Sequence, residues 1–256
     1  MKRTLLFLTA IIFAVSSVAQ AAEPTVIRPF NGTNLDGWKF KTGDRENSWT
    51  VGRLRADATT FELLPMPAGP GPQARPAGNQ IGQRFQQAAF VNMVGSDWRT
   101  AGRGVDIYTD ATFGDCTIKL EFLITRGSNS GVYLMGEYEV QISDSFAKAP
   151  DAPLRQGDMG AIYSAAAPSR NAAGVPGTWQ TYEIEFVAPR FDAAGNKTAN
   201  ALFKRVVLNG VLIQENVEVG GPTGGGLTMR EAATGPLMLQ GDHGPVAFRN
   251  IEIIIP

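Results

Sequence analysis

The chain has 256 residues, with 23 Lys+Arg against 24 Asp+Glu, 43% apolar residues, one Cys and one His. A formal charge of -1 without a basic cluster argues against a nucleic-acid partner, because phosphates demand concentrated positive charge. The apolar fraction excludes disorder, a lone Cys116 excludes an internal disulfide, and a lone His243 excludes zinc sites needing two histidines.

Lys2 and Arg3 precede an apolar run from Leu5 to Val15, then Ser16, Ser17 and the small-residue stretch Ala19-Gln20-Ala21. This is the layout of a secretory signal peptide over residues 1–21, with cleavage expected after Ala21. The run is too short to span a bilayer, which takes about 20 residues. The expected product is exported, periplasmic or extracellular, with 235 residues, a charge of -3 and no membrane span.

The exported segment, residues 22–256, reads as one folded unit from about Pro24 to Pro256. Residues 65–78 hold five prolines and three glycines, too many for a regular element, and read as a surface excursion. From Cys116 to Ile124 the even positions are apolar, while Thr117, Lys119 and Glu121 take the other face. Between Val132 and Ile142, the residues Val132, Leu134, Tyr138, Val140 and Ile142 form one face, opposite Tyr133, Met135, Glu137, Glu139 and Gln141. Long loops are expected over 145–160 and 220–234. Tyr182, Ile184 and Phe186 alternate with Thr181, Glu183 and Glu185. Asn209-Gly210 between two such runs signals a type I′ hairpin. Val246–Ile255 is mostly apolar, as in a strand covered on both sides. Period two dominates, and the fold class is an all-β sandwich of antiparallel sheets.

Glu139 and Gln141 share a face, so a carboxylate and an amide stand together. Tyr133 and Met135 extend that face into a platform for a sugar ring, unless a bulge at Gly136 shifts the phase. Lys119 and Glu121 read either as functional groups or as a solvated flank, and Glu183 and Glu185 as a solvated flank. His243 sits among glycines beside Asp242 in a loop, the natural position for a side chain that can serve as acid or base. No Gly-x-Ser-x-Gly elbow is present, and Gly127-Ser128-Asn129-Ser130-Gly131 has the wrong spacing for one. Cys116 falls on an apolar face and reads as an inert thiol.

Several motifs occur in order: Phe30-Asn31-Gly32-Thr33-Asn34-Leu35-Asp36-Gly37-Trp38, Phe113-Gly114-Asp115, Ser128-Asn129-Ser130-Gly131-Val132-Tyr133 and Tyr138-Glu139-Val140-Gln141. Gly160-Ala161-Ile162-Tyr163, Pro176-Gly177-Thr178-Trp179, Leu239-Gln240, His243-Gly244 and Phe248-Arg249-Asn250-Ile251 follow. Together they resemble the 3-keto-disaccharide hydrolase domain family, over essentially the whole exported chain. The resemblance implies a concanavalin-like jelly roll acting on glycosides oxidised at C3, the ketone having been made by a sugar 3-oxidoreductase in the same pathway. It points to Glu121, Asn129, Ser130, Glu139, Gln141, Tyr163, Trp179 and His243 as site residues.

A C3 ketone acidifies the C2 proton, so a base can form an enolate that expels the C1 substituent; rehydration would give net hydrolysis. In this scheme Glu139 is the base, His243 the acid or second base, and Gln141 and Lys119 hold ketone or hydroxyl oxygens. No organic cofactor is implied. Glu121, Glu139 and His243 would ligate a divalent ion if they converge. Two other readings are a sugar-binding module without turnover and a conventional glycosidase with two opposed carboxylates.

Overall fold

The computed structural model describes residues 23–41, 47–64, 88–92, 104–149 and 152–256. The expected signal segment, residues 1–21, and the proline-rich stretch 65–78 lie outside the described residues.

Among the described residues every regular element is a strand. The larger sheet runs in the order β14 (Val211–Val219), β13 (Ala201–Leu208), β10 (Gln180–Val187), β7 (Cys116–Ile124), β16 (Val246–Ile255), β5 (Ala88–Asn92), β3 (Trp49–Ala56) and β4 (Phe61–Leu64). A short β1 (Thr25–Ile27) also pairs with β16. The smaller sheet runs β2 (Trp38–Lys41), β6 (Asp106–Phe113), β15 (Gly235–Leu239), β8 (Asn129–Leu134) and β9 (Tyr138–Ser143). A separate ribbon pairs β11 (Arg190–Phe191) with β12 (Lys197–Ala199). Every pairing is antiparallel.

One apolar core joins the inner faces of the two main sheets. Ile118, Leu120 and Phe122 of β7 and Tyr182, Ile184 and Phe186 of β10 meet Val132, Leu134, Tyr138, Val140 and Ile142 of β8 and β9. These are the apolar sets that alternation predicts, since side chains of one strand take opposite faces in turn. Aromatic rings fill the centre: Phe122 stacks on Tyr182 at 4.9 Å, and Phe186 meets Phe203 edge-on at 5.1 Å. Cys116 belongs to this core, and burial pushes its thiol up to about 12, so it is an un-ionised filler.

The expected run over Val132–Ile142 is two strands rather than one. Met135 (φ 54°) and Gly136 (φ 73°) take left-handed conformations and fold the chain back, with Glu137 N donating to Leu134 O at 3.0 Å. The reversal pairs Leu134 with Tyr138 and Tyr133 with Glu139, so the parity of the two halves agrees across the turn. Met135 alone leaves the expected face: its side chain joins the core. Asn209 (φ 53°) and Gly210 (φ 81°) form the expected tight turn between β13 and β14.

β16 is covered on both faces, as its composition predicts. Val246, Phe248, Ile251 and Ile253 enter the main core, while Ala247 joins Leu54, Ala89, Val91 and Leu123 in a smaller cluster on the sheet's outer side. The inward phase changes between Phe248 and Ile251 because an extra residue is inserted in the pairing with β7, and Asn250 is left-handed there (φ 51°).

Candidate active site

The chemistry-bearing side chains gather on the outer face of the smaller sheet. Met238 of β15, Tyr133 of β8 and Glu139 of β9 lie side by side in register, and Gly131 stands opposite Gln141 in the next row. Gln240 extends that second row, its main-chain N donating to Gly131 O at 2.9 Å. Antiparallel partners share a face, so all six positions look the same way, away from the core.

Glu139 is 2% exposed. Its carboxyl leans over Gly131, where an added Cβ would collide with Oε1 and stand 2.9 Å from Cδ. Its main chain is held at both ends: N donates to Thr223 Oγ1 at 2.9 Å, and O accepts from Tyr163 N at 3.1 Å. Burial pushes the carboxyl up to about 8; the neighbouring Tyr133 hydroxyl lowers it, while Asp106 and Asp242 push it further upward.

Asp106 opens β6 on the same side of the sheet. Its Oδ1 accepts from Gly241 N at 3.0 Å and its Oδ2 lies 3.4 Å from Lys41 Nζ. Burial first, and then the Asp242 charge, raise its pKa, while Gly241 N–H and Lys41 oppose them. Lys41 Nζ also donates to Gly225 O at 2.8 Å and Gly226 O at 3.1 Å, binding a glycine-rich turn to this face. Close approach requires glycine here: a Cβ on Gly225 would lie 2.8 Å from the Tyr133 hydroxyl, which itself donates to Gly224 O at 2.9 Å. Two further groups steady this cover. Thr223 Oγ1 donates to Glu137 O at 3.1 Å, and Glu137 Oε1 accepts from Thr228 N at 2.8 Å.

His243 lies in the loop between β15 and β16, half-exposed, with Nδ1 against the Asp242 carboxylate. Asp242 is close enough to the face to raise Glu139, Asp106 and Tyr133 alike, so this loop borders the Glu139 side of the sheet. Asn129 begins β8 on the face of Gly131 and Tyr133, its N 3.2 Å from where a Cβ on Gly244 would stand. Tyr163 is partly buried at the rim, its ring 3.1 Å from where a Cβ on Gly224 would stand. Glu139, Gln141, Tyr133, Asn129, Tyr163 and the His243 loop are therefore brought to one side of the sandwich.

Four expected positions go elsewhere. Ser130 has the opposite parity on β8; it is fully buried, and its Oγ donates to Gln240 O at 2.7 Å. Glu121, Lys119 and Trp179 lie with the larger sheet, because β7 belongs to it and its polar parity points away from the core between the sheets. Glu121 Oε2 accepts from Arg249 Nε at 2.7 Å, and Oε1 accepts from Asn250 Nδ2 at 2.8 Å. The Arg249 guanidinium also lies 3.9 Å from the Trp179 ring centroid. Lys119 pairs with Glu183 at 3.3 Å on a half-exposed flank. Glu121, Glu139 and His243 thus do not converge as ligands. Among the described residues no group of three His, Cys, Asp or Glu side chains is arranged to hold a metal ion.

Glu121→Gln is expected to leave turnover unchanged while lowering stability by about 1–3 kcal/mol, the usual cost of weakening a partner of a buried charged group. Denaturant midpoints set beside kcat/KM check this; a large loss of kcat/KM would return Glu121 to the site.

Asp106, Asp242, Gln240, Lys41 and Thr223 were not among the sequence candidates. Asp106 carried a signal in its own alternation, since it precedes Ile107 and opens the Asp-x-Tyr-x-Asp face of β6. Lys41 and Thr223 carried none, because both reach the face from segments distant in sequence.

A two-sheet antiparallel sandwich of this order defines a concanavalin-like jelly-roll architecture. Two proteins of Parabacteroides distasonis ATCC 8503, both provisionally named glycosyl hydrolases, share the fold. The first has 23% identity and a TM-score of 0.61 over 93% of this chain and 94% of its own; the second has 17% and 0.52 over 90% and 94%. No curated protein matches the chain. The chain belongs to the 3-keto-alpha-glucoside-1,2-lyase-like domain family, whose model matches residues 25–254. Membership of that family marks a carbohydrate-active enzyme.

Proposed function

We propose that this protein cleaves the glycosidic bond of 3-keto-glycosides by elimination across C1 and C2. The observation that carries the reading is Glu139: a buried carboxylate whose pKa of about 8 makes it a strong base once ionised, set among amides and hydroxyls suited to a sugar. The family's description as a 1,2-lyase matches elimination at those carbons.

In this mechanism Glu139 takes the C2 proton and the electron pair moves into the C2–C3 bond, placing negative charge on the C3 oxygen. The Gln141 amide N–H stabilises that oxygen. Collapse of the enolate forms the C1–C2 double bond and expels the C1 oxygen, which His243, oriented by Asp242, protonates. Addition of water to C1 would complete a net hydrolysis. Lys119, on the other sheet, has no part. The ketone must come from a sugar 3-oxidoreductase, and residues 1–21 support action outside the cytoplasm, in the periplasm or beyond.

The test is to incubate the protein with a 3-keto-α-glucoside and with its unoxidised parent, following release of the aglycone. Cleavage of the keto-glucoside alone is expected, with an unsaturated keto-sugar trapped before rehydration; cleavage of the parent alone would overturn the scheme. The pH profile supplies a second check. The base works ionised, so the rate of C2 proton exchange with solvent, the step Glu139 alone performs, should rise with pH and level off above about 8, the value set chiefly by burial of Glu139. A rate that falls between pH 6 and pH 8 would exclude Glu139 as the base.

A further inference from the structure

Beyond the reaction itself, and resting on the reading above, the row Gln240–Gly131–Gln141 specifies which sugar the face accepts. Gln240 is 8% exposed and Gln141 3% exposed. The Oε1 atom of each is buried and accepts no hydrogen bond among the described residues. For Gln240 the orientation is fixed from the other end, since Nε2 points to the Tyr133 hydroxyl at 3.4 Å. Native interiors leave few such carbonyls without a donor, so a pair on one face calls for donors that the described residues do not supply. The two residues are two strand spacings apart, roughly 10 Å between α-carbons, with Glu139 leaning over the side-chain-free Gly131 between them.

The acidic groups nearby outnumber the cations. Glu139, Asp106 and Asp242 supply carboxyl groups, whereas Lys41 is committed to Asp106 and to two carbonyls, and Lys39 to Asp110 at 2.8 Å. The face offers lone pairs and a surplus of acidic groups. A sugar hydroxyl answers both, because it donates a proton and carries no charge; a uronate carboxylate answers neither.

We infer that the Oε1 atoms of Gln141 and Gln240 accept hydrogen bonds from two hydroxyls of one neutral pyranose, flanking Glu139, and that the site discriminates against uronides. Gln240 is in this sense a specificity residue, held in place by Ser130 and Gly131 behind it.

The test is NMR titration of the full chain at pH 7 with methyl α-glucoside, each of its monodeoxyfluoro derivatives, and methyl α-glucuronide. Methyl α-glucoside should bind. Two fluoro derivatives should bind about tenfold more weakly, since fluorine cannot donate to a carbonyl, and the glucuronide at least about a hundredfold more weakly. Gln141→Met and Gln240→Met should each weaken methyl α-glucoside about tenfold; the fluorosugars carry the test on the unaltered protein if either variant misfolds. Equal binding of the glucuronide, indifference to every fluorine, or no binding of methyl α-glucoside overturns the inference. Turnover is read separately. Cleavage of a 3-keto-glucoside without this discrimination keeps the elimination and removes the inference, and discrimination without cleavage does the reverse.

Discussion

Glu139→Gln is expected to lower kcat/KM at least about a thousandfold and, above pH 8, to make the protein more stable. The first effect follows from removing the only base assigned to C2, where general base catalysis contributes about 10²–10⁴-fold. The second follows from linkage. In the folded state the Glu139 carboxyl titrates at about 8, against about 4.5 for an unperturbed glutamate, because it is buried beside Asp106 and Asp242. Below both values each state holds the proton, and the group makes no difference. Between them the unfolded chain has released a proton that the folded state keeps, so stability declines as pH rises, and above about 8 the folded state carries the full cost of a buried charge. That gap corresponds to about 3–5 kcal/mol, and a neutral glutamine is spared it. Urea denaturation of both proteins at pH 5 and pH 9 checks the sign: the variant's advantage should be small at pH 5 and large at pH 9. An advantage that is equal at both pH values would mean that Glu139 is not titrating in this window.

Gly131→Ala is expected to lower kcat/KM by about 10²-fold while leaving the sandwich intact, since displacing a catalytic group by about an ångström has costs of that order. The residue is an ordinary strand position without left-handed backbone, so alanine brings no dihedral strain. What it meets is Glu139, whose Oε1, Cδ and Cγ occupy the space a methyl group would take. The carboxyl must swing away from the row between Gln141 and Gln240. Steady-state kinetics should show the loss mainly in kcat, and thermal melts should stay within a few degrees of the parent. A variant with unchanged kcat would show that the carboxyl's place over Gly131 is immaterial to turnover.

The sandwich was legible because its signal is local. β7, β10 and β16 announce themselves by alternation or by continuous apolar character, and Asn209-Gly210 can satisfy a type I′ turn with little strain. The same alternation placed Glu139, Gln141 and Tyr133 together, since the Met135-Gly136 reversal preserved the parity of the two strands it joins. It could not say which sheet a strand would enter. Glu121 and Glu139 look alike in sequence, each a carboxylate opposite an apolar row, yet β7 and β9 lie in different sheets and their polar sides face apart. Ser130 is implied by the resemblance alone: its neighbours Asn129 and Gly131 face the site, and strand parity sends it the other way. Asp106, Lys41 and Thr223 reach the site through tertiary contacts spanning tens of residues, and no short-range pattern encodes those.

The inserted residue at Asn250 gives the molecule a division of labour. By changing the inward phase of β16, it delivers Arg249 and Asn250 to the same carboxylate, Glu121, on the far flank, where Trp179 covers the guanidinium. That flank has its own polar anchor, separated from the reacting groups by the whole thickness of the apolar interior. Mutations there should be read in melting curves and not in rates, so durability can be altered on that flank without touching catalytic preference.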